Sequence, residues 1–274
     1  MEINFSVLVL SQITLHGNQL FFEFECPLEL CEPFKIYSVL EEICTNGDFY
    51  DDLFIEKFGA KHIEQQKISP LSAKDKEKAW KKFQEYLKEL FQYINFFENK
   101  RLMGFAWDTL LIQLMKIDYF MAPQGFLRSE IEQCILDMNN DKLPLNDVME
   151  KGKIAVKKLM GFDRKKFDKY LYNRETFVPS KKRCDLGCVQ NMLKKDYERA
   201  KNEISSGGHM GATLSLLYGI YYLYYGNEIP VEQRKILNRG LKNAGGKTWK
   251  IAAESLWKEV TIIMQTKTDD GSKL

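Results

Sequence analysis

The sequence predicts a mainly α-helical protein: an N-terminal β-hairpin within a small α+β portion, followed by a multi-helix array. Three observations carry this. Apolar residues alternate with period two at the front of the chain. From Ser72 onward they recur at helical spacing without a break. Near the end, two Gly-Gly pairs, Gly207-Gly208 and Gly245-Gly246, lie 38 residues apart, each between helical segments, which fits helical-hairpin repeats at the C-terminal end.

The hairpin rests on Ile3, Phe5, Val7 and Val9, then Ile13 and Leu15, alternating with residues of the other face. His16-Gly17-Asn18-Gln19 supplies a turn, and Leu20, Phe22, Phe24 and Cys26 resume the alternation. Pro33 suits a first helical turn, and Ile36, Val39, Leu40 and Ile43 form a stripe, so a helix is expected over 33–44 with Gly47 beyond its end. Residues 48–70 read as irregular, with a short helix around 52–58. Ser72-Ala73-Lys74-Asp75 resembles a capping box. Behind it Trp80, Phe83, Leu87, Leu90, Phe91 and Ile94 line one broad face, while Lys81, Lys82, Glu85, Lys88 and Glu89 take the other. Further helices are expected at about 103–121, 127–138, 146–160, 163–172, 187–204, 209–226, 230–243 and 247–266, with a frayed polar tail from Thr268 and strands confined to the first 30 residues. The organisation is therefore an acidic α+β portion over 1–70 and a helical domain over 71–274.

Composition narrows the class. A chain of 274 residues with 45% apolar side chains can build a real core rather than remain disordered. The apolar stretch Leu102–Met121 is interrupted by Asp108, Lys116 and Asp118, and Leu214–Tyr225 is shorter than a bilayer requires, so both read as buried helices and no membrane association is expected. The first residues lack the basic region of an export signal, and six cysteines without a framework spacing suit a reduced, cytoplasmic protein with buried thiols.

Charge is unevenly distributed. Residues 1–70 carry a net charge of −8, and residues 151–201 carry 16 Lys/Arg against 6 Asp/Glu. Arg164, Lys165, Lys166 and Lys169, with Lys181, Lys182 and Arg183 after the Pro179-Ser180 loop, are candidate phosphate contacts, since such residues neutralise phosphates and interleaved Phe162, Phe167, Tyr170, Tyr172 and Phe177 can stack on bases. Two structural readings compete: a solvated helical face, or pairing with the acidic front. A second candidate surface is Tyr218, Tyr221, Tyr222 and Tyr225, which share a face of one helix and have the amphipathic character common in binding sites.

Motifs for chemistry are sparse. Cys184-x3-Cys188 and the Cys26/Cys31 pair lack the further ligands of a zinc site, and the three histidines form no metal-binding spacing, so neither a metal nor a cofactor is expected. Ser205–Gly211, with His209, opens a helix that would hold an anion or serve as a plain interhelical turn. No nucleophile motif or catalytic residue is indicated. The expected function is a non-enzymatic binding or regulatory protein acting through a helical surface on another protein. The alternative is a nucleic-acid-binding protein using 151–201, and the third reading is an enzyme whose site is assembled from distant residues.

Overall fold

A computed structural model describes residues 3–4, 7–64, 67–140, 142–174 and 181–267. It is mainly helical: a two-stranded hairpin followed by a helical array. The chain divides into two compact units. The first comprises Met1–Leu71, Pro123–Glu130 and Lys169–Ser180; the second comprises Ser72–Ala122, Ile131–Asp168 and Lys181–Leu274.

In the first unit, β1 (Gln12–His16) pairs antiparallel with β2 (Gln19–Glu23), Ile13 facing Phe22 and Leu15 facing Leu20. Gly17, at φ +64°, makes the tight turn. The strand starts later than the period-two pattern suggests. Ile3 and Asn4 are helical, and the amides of Val9, Leu10 and Ser11 all donate to the Glu42 carboxylate instead of entering a ladder. Phe5 and Ser6, within that expected strand, lie outside the described residues.

A short 3-10 turn, Leu28–Leu30, leads into α1 (Pro33–Phe58). This helix is one continuous element rather than two. Gly47 sits inside it at a propensity cost of about 1 kcal/mol, with the Phe22 ring 3.9 Å from where a Cβ would be. The stop signal is Gly59, left-handed at φ +68°.

Three later features complete this unit. β3 (Ile68–Pro70) pairs antiparallel with β4 (Tyr172–Arg174), the Gln124 amide donates to the Tyr170 carbonyl, and Ser129 donates to the Phe49 carbonyl. Tyr170, Leu171, Leu127 and Val39 are buried there.

In the second unit, Ser72 caps α2 (Ala73–Asn99) by accepting from the Asp75 amide. Phe83, Leu87, Leu90, Ile94 and Phe97 are buried along its inner face; Trp80 and Phe91, at the edges of the stripe, are half-buried. α3 (Met103–Met121) packs on α2, and α8 (His209–Gly226) packs on α3. Both are apolar nearly all round, which is the pattern of central helices, and they supply Leu110, Leu114, Ile117, Leu216, Ile220 and Leu223 to the core. α4 (Gly125–Met138) belongs to this unit from Ile131 onward, α5 (Leu145–Met160) lies wholly in it, and the short α6 (Arg164–Lys169) belongs to it up to Asp168. The helix expected over 163–172 stops at Lys169 because Tyr172–Arg174 is recruited as β4.

Two helix pairs close the array: α7 (Leu186–Ser205) on α8, and α9 (Val231–Ala244) on α10 (Trp249–Gln265), with α10 also on α8. Gly207 at φ +78° and Gly246 at φ +69° each follow the residue that caps the preceding helix, the position where a left-handed glycine releases the chain for a tight return. Gln190 reaches across from α7 and donates to the Ile263 and Thr266 carbonyls at the open end of α10.

Strands are not confined to the first 30 residues. β3, β4 and the parallel pair β5 (Lys182–Arg183) with β6 (Asn227–Glu228) lie beyond them. Each is two or three residues long, too short to write a period into the sequence.

Candidate interaction surfaces

The seven basic residues singled out by composition occupy different environments. Arg164 on α6 donates to Glu77 and to Asp168, both at 2.7 Å, beside the Trp80 ring. In the first unit Lys169 pairs with Glu56 at 2.8 Å, and Arg174 with Asp48, so this part of the basic segment meets carboxylates of the acidic front. Lys181 donates to the Tyr224 carbonyl at 2.7 Å. Lys165 and Lys166 on α6, and Lys182 and Arg183 on β5, are exposed and form no ion pair among the described residues. Pro179-Ser180 and Phe177 lie outside the described residues, as does the tail from Thr268.

The four tyrosines of α8 also separate. Tyr221 is 5% exposed, inside the second unit, with Tyr119 and Phe120 against it. Tyr225 is half-buried. Tyr222 is 43% exposed and stacks on Tyr218 at 5.7 Å, which in turn stacks on Trp107 at 5.8 Å. Burial pushes the Tyr218 hydroxyl up to about 12 and, beside it, the Asp196 carboxyl up to about 6, even though Arg199 and Lys195 favour its ionised form. Asp108, 3% exposed, has Arg199 at 3.4 Å. The row that reaches solvent is Trp107–Tyr218–Tyr222, ending at Tyr222.

A third surface is more apolar than either. The corner formed by the 3-10 turn and the first turns of α1 presents Leu28 and Phe34 almost entirely to solvent, at 85% and 86%, with Leu30, Tyr37 and Leu40 also exposed. Phe34, Tyr37 and Leu40 follow one another at three-residue spacing, which keeps them on one side of the helix. Between residues 23 and 42 there are six glutamates and one lysine. Glu25, Glu29 and Glu32 are exposed and form no ion pair among the described residues. Within α1, further along, Asp51 is pushed up to about 7, first by burial and then by Asp52, and Gly125, at φ +60°, leaves the space its neighbour Asp52 fills.

The anion-holding reading of Ser205–Gly211 is closed off by the chain itself. The Glu203 carboxylate lies against Gly208 and Gly211 at the start of α8, where any Cβ would collide with it. A carboxylate at a helix N-terminus satisfies the helix dipole, so an external anion has no vacancy to fill. No group of three or more His, Cys, Asp or Glu suited to a metal ion occurs among the described residues. No helix among them is long and apolar enough to cross a membrane.

The cysteines depart from the expectation of six reduced thiols. Cys184 and Cys188 are joined in a disulfide, their Cα atoms 5.3 Å apart across the turn that starts α7. Cys26 and Cys31 are free, with sulfurs 3.0 Å apart on either side of the 3-10 turn Leu28–Leu30. Phe34 and Tyr37 lie off the Ile36–Val39–Ile43 stripe, and that offset is the only sign of the exposed corner that the sequence carries. Compared with protein-family models, with curated proteins and with solved structures, the chain matches none of them.

Proposed function

We propose that this is a non-enzymatic binding protein whose contact surface is the apolar corner at Leu28–Leu40, and that its partner is a protein segment combining apolar and basic side chains. The observation that carries this reading is the near-complete exposure of Leu28 and Phe34 among unpaired glutamates. Exposed large apolar side chains gathered in one place favour a partner, and the surrounding negative charge selects a positive one. The tyrosine helix supports the reading less, because Tyr221 is core and Tyr218 is covered by its neighbours.

The test uses a synthetic amphipathic peptide of leucine and lysine, of about 18 residues, and the full chain. Fluorescence anisotropy should show binding that a Phe34→Ser/Tyr37→Ser variant weakens by about tenfold or more. Both side chains are exposed, so the variant keeps the fold. Equal binding by the variant, equal binding of a leucine–glutamate peptide, or no binding at all overturns the proposal. Self-association abolished by the same variant would replace the partner with a second copy of the chain, and binding of anionic or neutral vesicles instead of the peptide would replace it with a membrane surface.

The four unpaired cations favour a second reading, nucleic-acid binding. It predicts that a generic RNA or DNA binds with a steep salt dependence, and that changing Lys165, Lys166, Lys182 and Arg183 to Glu abolishes it. Negligible binding by both proteins at low salt ends that reading.

A further inference from the structure

We propose that Cys184 and Cys188 form a reversible dithiol–disulfide site that exchanges with small thiols of the glutathione class. The two sulfurs are bonded across the turn Asp185-Leu186-Gly187, so the pair needs no movement of distant elements to open or close. Asp185 is the N-cap of α7 and accepts from the Cys188 amide at 2.8 Å, which holds the turn in the conformation that brings the cysteines together. The Cys184 amide donates to the Glu228 carbonyl, continuing the β5–β6 pairing and fixing the other side of the turn.

The two sulfurs are not equivalent. Cys184 is 4% exposed, whereas Cys188 lies in the first turn of α7 and is only half-buried. An incoming thiolate therefore attacks Sγ of Cys188. The Cys184–Cys188 bond breaks, its electron pair leaves on Cys184 Sγ, which takes up a proton, and a mixed disulfide remains on Cys188. A second small thiolate attacks the sulfur of the bound thiol, releasing the small disulfide and the Cys188 thiolate, which is protonated in turn. The net exchange converts two small thiols and the protein disulfide into one small disulfide and the protein dithiol; oxidation is the reverse. The positive end of a 20-residue helix and the exposed cations Lys182 and Arg183 favour thiolates here, the Asp185 carboxylate opposing them.

The test equilibrates the full folded chain in buffers of varied reduced-to-oxidised glutathione ratio, quenches in acid, alkylates free thiols and reads the tryptic peptide from Cys184 to Lys194 by mass spectrometry. The expected result is a reversible change between the doubly alkylated and the unalkylated peptide as the ratio changes. Two alkylations at every ratio, or none even in excess reduced glutathione, overturn the proposal. Cys184→Ser should retain a glutathione adduct on Cys188, and Cys188→Ser should acquire one on buried Cys184 about tenfold more slowly or worse. Equal rates overturn the assigned direction of attack. Circular dichroism checks that the variants fold, and the wild-type measurement stands alone if either does not.

Discussion

Glu42 anchors the start of the chain, and its removal has a calculable local effect. Its carboxylate accepts from the amides of Val9 (2.9 Å), Leu10 (3.0 Å) and Ser11 (2.7 Å) and from the Ser11 hydroxyl (2.7 Å). Val9 and Leu10 are exposed, so water replaces the carboxylate at their amides at little cost. Ser11 is 8% exposed, and its two donors would be left unsatisfied. Hydrogen bonds to a charged group contribute about 1.5–3 kcal/mol each, so losing the two from Ser11 in Glu42→Ala should cost roughly 3–6 kcal/mol locally, and Glu42→Gln, which keeps Oε1 as their acceptor but not its charge, about half of that. Because 1.4 kcal/mol is a factor of ten, the Ser11 amide should exchange with solvent about 100-fold faster or more in Glu42→Ala if it exchanges by local opening. Native-state hydrogen exchange measures this. Burial pushes the Glu42 carboxyl up, but the Ser11 hydroxyl and the amides of Val9, Ser11 and Leu10 together push it further down, below its ordinary 4.5. A depressed folded-state value means the stabilisation is present above that ordinary value and is lost as pH falls through the folded one. Ser11 protection should therefore decline in acid in the wild type and show no such step in Glu42→Gln. Unchanged Ser11 exchange in Glu42→Ala would refute the anchoring role.

Two further substitutions test the packing of the second unit. Leu87→Ala removes a side chain only 1% exposed, and should cost roughly 2–5 kcal/mol in urea denaturation; a change below about 1 kcal/mol would mean that α2 is not held by this face. Gly152→Ala places a Cβ 2.5 Å from Met138 Sδ and 2.9 Å from Leu110 Cδ1, both side chains buried. The overpacking cost of about 1–3 kcal/mol exceeds the gain of about 1 kcal/mol in helix propensity, so thermal denaturation should show a lower midpoint, and a higher one would refute the close approach.

What the chain's order of residues settles is local. The period of α2, its Ser72 cap and the all-round apolarity of α3 and α8 are legible because helical spacing follows from backbone geometry, and a buried central helix has no polar face to show. Gly17, Gly207 and Gly246 are legible as turns because only glycine enters the left-handed region without cost. The continuity of α1 through Gly47 was not, since a glycine in a helix weakens it without breaking it. The long-range pairings were decided only by the folded chain: Ile68–Pro70 with Tyr172–Arg174, Asp48 with Arg174, Glu56 with Lys169. The sequence shows an acidic front and a basic middle, but any of several carboxylates would serve any of several cations, and the choice follows from which backbone segments close together. Tyr221 and Tyr222 make the same point at one residue's distance. They are identical side chains, adjacent on one helix, yet one is core and the other surface, because burial depends on which neighbouring helix covers each side, and helical periodicity alone does not say which side that is.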